Sequence, residues 1–331
     1  MSRAAAIPAL VAAAILAMLV SVRFGAVGMG AGEVARALAG DGDPAAVTIV
    51  RDLRLPRAVL AALVGGALSL AGATFQALLR NPLAEPYLLG VSSGAAAGAV
   101  AAISLGLAVT GLGVPAGALI GAVVAIGFVL MIALQVDRGL DVRVLLLAGV
   151  VTGSFFNAVI LLLLAFQEAE SFRAALFWMV GSVAGASWSR VALLAACAAP
   201  ALAVLLALSR SLDLLGLGEE TAGYLGTATG RVQRAAYLVA SLLTAAAVVT
   251  AGALGFVGLV VPHTVRMVWG GSHRFLLPAS FLAGAAFLPL ADTVARTAAA
   301  PAELPLGVVT AFVGVPFFLW LLRRQARRAA P

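Results

Sequence analysis

The sequence predicts an all-α polytopic membrane protein of about ten transmembrane helices. Three observations predict it. Residues of the set AVILMFWYC make up 63% of the 331, and charged residues only 11%. A soluble domain carries about 25% charged and 45–50% apolar residues, so this chain lacks the polarity to clothe a water-facing surface. Next, the ionisable residues divide the chain into apolar runs of the roughly 20 residues that cross a hydrocarbon core about 30 Å thick. Finally, glycines and prolines interrupt the runs that are too long for a single helix. An ordinary cytosolic enzyme, a disordered chain and a nucleic-acid binder are excluded. The net charge of +7 comes from scattered arginines and not from a basic domain.

The spans follow in order from the charge-free runs. The first is Ala4–Val22, longer than the apolar stretch of a signal peptide and with no clean cleavage site before Arg23. Ala58–Leu79 is the second. Pro86–Val136 splits at Gly106, Gly111, Gly113 and Pro115 into Tyr87–Leu107 and Pro115–Gln135. Val144–Gln167 and Val191–Ser209 are the fifth and sixth. Ala174–Ser189 is short and glycine-rich and reads as a helix or re-entrant piece outside the main bundle. Gly252, Gly255, Gly258 and Pro262 break the next run into Ala235–Ala251 and Phe256–Trp269. Phe275–Ala291, running on to Arg296, is the ninth, and Pro305–Leu322 the tenth. One domain therefore covers 1–331, with an outer loop over about 23–57 and a cytoplasmic loop over about 211–230.

Ten spans put both termini on one side. Arg323, Arg324, Arg327 and Arg328 close the chain, and Arg3, Arg80, Arg138, Arg143 and Arg210 fall on the same side. The excess of arginine makes that side the cytoplasm. Small residues at helical spacing predict close helix packing: Gly90, Gly94 and Gly98; Gly117 and Gly121; Gly65, Ser69 and Gly72. Ala71-Gly72-Ala73 followed by Pro82 is echoed by Ala251-Gly252-Ala253 followed by Pro262, five spans later. An odd separation would invert one half relative to the other, an arrangement common in transporters.

All 21 basic residues are arginine. A P-loop needs its lysine, so the chain is not a conventional ATP-hydrolysing subunit, and Schiff-base chemistry is excluded. The single cysteine, Cys197, allows no internal disulfide. His263 and His273 stand alone in the sequence, without the several ligands that a metal needs. Four features carry functional information. Arg51, Arg54 and Arg57 cluster on the outer side, against the charge rule, with Pro56 suited to a helix's first turn; an acidic partner or lipid headgroups would meet them. Ser211–Gly230 reads as two short helices, Leu212–Leu215 and Glu219–Leu225, leaving Leu214, Leu215, Leu217, Tyr224 and Leu225 at the membrane surface for a partner groove or the lipid interface. Arg80–Pro86 is a stiff turn in which Arg80 offsets Glu85. Asn157, Gln76, Asp292 and Arg296 are polar groups within spans, the last two on one helix face near the outer end.

The segment RLPRAVLAALVGGALSLAGATFQALLRNPLAEPYLLGVSSGAAAGA resembles the FecCD-type permeases of bacterial ABC importers. So do GEETAGYLG, GFVGLVVPHTVRMV, HRFLLPASFLAGAAFLPLADTVAR and ELPLGVVTAFVGVPFFLWLL, in the family's order, from about Arg51 to Leu322. The resemblance implies a ten-helix permease of the inner membrane that passes cobalamin, a ferric siderophore or haem. It implies a second permease copy, most simply a homodimer, two ATP-binding cassette subunits below and a periplasmic binding protein above. This chain would bind no cofactor; ATP and Mg would sit on the ATPase. By motif position the resemblance makes Arg54, Arg57 and Arg296 the docking residues for the binding protein. It makes Leu214, Leu215, Glu219, Glu220, Ala222 and Gly226 the coupling element in the ATPase groove. The start of the fifth span, Asp141-Val142-Arg143, would be the cytoplasmic gate. Cobalamin permeases tend to have small hydroxyl residues there, a departure that weakens a cobalamin assignment without removing it. Phe155, Phe156 and Asn157 are expected to line the path between two copies.

A secondary transporter coupled to protons or sodium is the competing class. It calls for a paired mid-membrane ion-coupling site, which the sequence lacks, and it leaves the GEETAGYLG loop without a purpose. An intramembrane enzyme would need a clustered nucleophile, base or metal set within the spans, and none is visible.

Overall fold

The computed structural model describes residues 3–25, 27–107, 111–136 and 141–329, so Arg138 lies outside the described residues. Among these residues there is helix and no strand. The helices are α1 (Arg3–Arg23), α2 (Ala31–Ala39), α3 (Pro44–Thr48), α4 (Leu55–Leu78), α5 (Val91–Ser104), α6 (Gly113–Val136), α7 (Val142–Ala165) and α8 (Ala169–Val180). They continue as α9 (Trp188–Ala207), α10 (Ser209–Leu215), α11 (Glu219–Tyr224), α12 (Thr229–Ala251), α13 (Val257–Trp269), α14 (His273–Thr297) and α15 (Leu306–Ala329). Among the described residues, seven helices are long and apolar enough to cross a membrane. Three of the expected spans correspond to helices outside that set: α5 and α13, of 14 and 13 residues, and α15, whose described apolar part runs over Leu306–Leu321. The short helix expected over Ala174–Ser189 forms earlier, as α8.

The centre of the molecule is α4. Twenty of its 24 residues are buried, and α14, α12, α13, α9 and α1 surround it. A helix enclosed this completely needs small residues, because neighbouring backbones must approach closely. A Cβ on Gly65 would overlap the Gly284 carbonyl of α14, and one on Gly72 would overlap the Gly258 carbonyl of α13. The same device joins α5 to α6. Gly94 meets the Gly121 carbonyl and Gly98 the Gly117 carbonyl, as the spacing of these glycines predicts.

The second span begins earlier than Pro56. A π-helical turn, Ile49–Arg54, joins α3 to α4 without a break, making a continuous helix from Pro44 to Leu78. A proline ring in an α-helix meets the carbonyl four residues before it, and a wider π turn there relieves the clash.

The α12–α13 break is held by its neighbours. Gly252 has φ 72° and Phe256 has φ 68°, so both lie in the left-handed region that L-residues avoid. The freed backbone groups find partners within the protein, as they must where water is absent. Leu254 N–H donates to the Tyr87 hydroxyl at 2.5 Å, and Phe256 N–H to Glu85 Oε1 at 2.5 Å. Ser182 N–H donates to the Ala251 carbonyl at 2.8 Å. Gln76 Nε2 donates to the Leu259 carbonyl at 3.3 Å. Burial pushes the Glu85 carboxyl above its ordinary range, and the Phe256 N–H draws it partly back. The expected Arg80–Glu85 pairing does not form; Glu85 is occupied at the break, and Arg80 turns to Glu219 at 3.0 Å. Gly72 and Gly252 also differ, one inside a packed helix and the other at its end.

These contacts predict opposite outcomes for two glycines. Gly72→Val forces apart α4 and α13 and should lower the melting midpoint by on the order of 5 °C or more. Gly127→Ala meets no atom within 4 Å and should leave it unchanged. Thermal unfolding of the purified protein in detergent, followed by size-exclusion fluorescence, reads both.

Candidate functional site: two polar ends of one bundle

Helices α1, α4 and α14 give the bundle two ends. At one end lie Ser21, Arg57 and Arg296, brought together from α1, α4 and α14. Arg57 donates through Nε and Nη2 to Asp292, at 2.9–3.2 Å. It also donates through Nη1 and Nη2 to Glu303, at 3.1 and 2.9 Å. Asp292 is 1% exposed and also faces Arg296 Nε at 3.0 Å, four residues along the same helix. That approach is an ion pair without hydrogen-bond geometry, since Arg296 Nε finds no acceptor. Arg296 Nη2 donates to the Ser21 carbonyl at 2.9 Å and Nη1 to the Phe24 carbonyl at 3.1 Å.

The expected docking residues Arg54 and Arg296 lie largely buried within this chain. Each is 6% exposed. Arg54 Nη1 donates to the carbonyls of Val22 and Arg23 at 3.1 and 3.2 Å, and Nη2 donates to Val27. Its guanidinium fills the hollow beside Gly25, where a Cβ would sit 3.1 Å from it. Carbonyls at the end of a helix lack intrahelical donors, and a guanidinium supplies several at once. The two arginines fasten the end of α1 and the loop after it. Arg51 is exposed and holds the Leu38 carbonyl at 2.7 Å.

At the opposite end, Arg3 Nε donates to the Trp269 carbonyl at 2.9 Å, and α10 and α11 form beside the ends of α4 and α14. The two short helices match the expected ones closely. Their exposed apolar residues differ in part. Leu215 is buried and Leu214 half-buried because α10 packs against α4 and α14, and Ala222 is buried on α11, which packs against α10 and α12. The outward face consists of Leu217, Leu225 and Tyr224, the last 84% exposed, with Glu220 and Gly226. Two polar ties fix this element. Glu219 takes the Arg80 bond, and Asp213 accepts from His273 N–H at 3.0 Å and faces its Nδ1 at 2.6 Å. His263 is placed by the Pro82 carbonyl, 3.2 Å from Nδ1.

The α7 residues divide by helix face. Asp141 is the N-cap, accepting from Arg143 N–H at 2.6 Å; Val142 is half-buried and Arg143 exposed. Phe155 and Asn157 are exposed, whereas Phe156 turns inward and packs edge-on to Phe128 of α6, with centroids 6.5 Å apart. Phe156 thus packs within the chain. Sequence reasoning missed Asp213, His273 and Glu303, whose partners lie far away along the chain.

The ties of Arg54 make a direct prediction. Arg54→Met should strip the donors from three carbonyls and destabilise the loop after α1 by on the order of 2 kcal/mol. Limited proteolysis should then cut between residues 24 and 30 at a rate that the parent protein does not show.

Comparison with known proteins agrees with this architecture. Residues 13–324 match the model of the FecCD transport family. The cobalamin import system permease protein BtuC of Halobacterium salinarum is 46% identical over 284 residues, covering 86% of this chain and 76% of that one. The uncharacterized ABC transporter permease protein YvrB of Bacillus subtilis is 43% identical over 291 residues, covering 87% and 82%. Among solved structures, an inward-facing conformation of a metal-chelate type ABC transporter superposes with a TM-score of 0.87 at 29% identity, covering 96% of this chain and 98% of that one. The family match spans most of the sequence, and the chain belongs to the FecCD transport family of ABC importer permeases.

Proposed function

We propose that the chain crosses the bacterial inner membrane ten times, with both termini in the cytoplasm. It works as one of two identical permease subunits above a pair of ATPase subunits and below a periplasmic binding protein. The supporting observation is the presence of two unlike ends on one bundle, joined by α4. One end is an ionic cluster beside the arginine-rich outer loop. The other is a tied element with an uncovered apolar face. Helices α5, α13 and α15 complete the ten in this reading; α5 and α13 have only 14 and 13 residues, but both are packed into the bundle, so a short span need not meet lipid along its whole length. The spacing from Gly72 to Pro82 and from Gly252 to Pro262 supports an inverted relation between halves in sequence only, because the two glycines occupy different local structures.

In this reading the outer end docks the binding protein through Arg57 and the loop that Arg54 and Arg296 hold in shape. The face of Leu217, Tyr224 and Leu225 enters a groove of the ATPase, with Glu219 bonded to Arg80 so that movement of the element is passed to α4. ATP and Mg act on the ATPase, and this chain is non-catalytic. Asp141, Val142 and Arg143 form the gate at the start of α7, and Asn157 and Phe155 face the path between two copies. The cargo is a large metal chelate. The names of the relatives favour a corrinoid over a ferric siderophore or haem. Asp141 fits that reading, since a carboxylate caps a helix in the same way as the small hydroxyl residues it replaces.

Deletion of the gene followed by uptake of radiolabelled cobalamin and of a ferric siderophore tests the cargo; intact cobalamin uptake would overturn the corrinoid assignment. Coupling predicts that Tyr224→Asp combined with Leu225→Asp leaves the folded permease intact. Uptake in cells, and ATPase activity stimulated by the binding protein, should both fall by about tenfold or more. Unchanged uptake would remove this face from the ATPase interface.

A further inference from the structure

Arg57 has two edges, and they are held differently. Nε and Nη2 grip Asp292, which is fully buried and also paired with Arg296. That edge is permanent, since withdrawing Asp292 would leave two guanidiniums without their buried counter-charge. Nη1 and Nη2 grip Glu303, whose side chain is 44% exposed. Glu303 is the only charged residue between Ala298 and Pro305. Its backbone needs no movement for the side chain to leave, because the loop is secured separately by Leu304 N–H on the Ala295 carbonyl at 2.9 Å. Arg54 and Arg296 are both buried, with their Nη groups on main-chain carbonyls and Arg296 also facing Asp292. Within the cluster, therefore, the Arg57 edge facing Glu303 is the one that exchanges carboxylates.

We infer that Glu303 is an internal stand-in for an acidic residue of the docking partner, and that docking is a carboxylate exchange on the Nη1/Nη2 edge of Arg57. The inference rests on the proposed docking at this end. A partner glutamate or aspartate takes over the two parallel bonds that Glu303 makes, while Glu303 swings into water. The geometry suits this, because a guanidinium edge binds a carboxylate bidentately and so accepts one acid at a time. Exchange lowers the net gain of docking, since an existing ion pair is given up for a new one. It keeps the Nη1/Nη2 edge of Arg57 from resting without a carboxylate when nothing is docked. It also discriminates, because a neutral partner group at that position would be unable to displace Glu303.

The test uses the intact permease–ATPase complex in nanodiscs and the periplasmic binding protein that restores uptake by this permease. Glu303→Gln removes the competing charge, and docking should tighten about 2- to 5-fold, as expected for release of an exposed ion pair. The gain should shrink at high salt. Arg57→Gln should weaken docking, and adding Glu303→Gln to it should then have no further effect. Weaker docking in Arg57→Gln with unchanged or weaker docking in Glu303→Gln would overturn the exchange and leave the docking site standing. Unchanged docking in both variants would overturn the docking site itself. Should Glu303→Gln fold poorly, Glu303→Asp, too short to keep both bonds, carries the same expectation and the same refutation.

Discussion

The close approach of backbones around α4 is the constraint on which the rest of the structure depends. Lipid gives apolar side chains no reason to leave it for one another, so helices associate by contact and by polar ties. Here the contact is backbone on backbone. Gly65 and Gly284 bring α14 against α4, and Gly72 and Gly258 do the same for α13. With α13 seated, the break before it falls where Glu85, Tyr87 and Gln76 can reach its free backbone groups. With α14 seated, Asp292 comes within reach of Arg57. Both polar networks therefore exist because two pairs of glycines carry no side chains.

The helices and their close contacts were legible because their signals are local. A charge-free run marks a span, and glycine at every fourth place marks a contact face; neither needs knowledge of the partner. The ends of the bundle were legible in type but not in wiring. Arg54 reads as a surface charge because its partners are main-chain carbonyls of Val22, Arg23 and Val27, atoms that every residue carries. Arg80 has Glu85 five residues away, yet bonds Glu219, 139 positions distant. Phe156 and Asn157 are neighbours in sequence, and only the packing of α6 on α7 decides which of them is buried. The early start of the second span escaped detection because a proline normally marks the opening of a helix, and a π turn removes the obstacle behind that rule.

The absence of lysine has its own logic at these ends. A guanidinium spreads its charge over a planar fork and offers five donors. Arg57 binds two carboxylates at once, and Arg296 reaches a carboxylate, two carbonyls and a hydroxyl. An ammonium at either position would hold fewer partners in less fixed directions.

The continuous helix has a mechanical consequence. From Leu55 to Leu78, α4 extends about 36 Å at 1.5 Å per residue. It is gripped on nearly all sides, with Arg57 near one tip and Arg80 just past the other. A rod clamped in this way has little freedom to bend, so axial force applied at one tip arrives at the other with small loss. The softer joint is the π turn over Ile49–Arg54, where the helical ladder is irregular. Compliance is thus placed outside the rod, on the side of the loop, and the member between the two tips behaves as a strut.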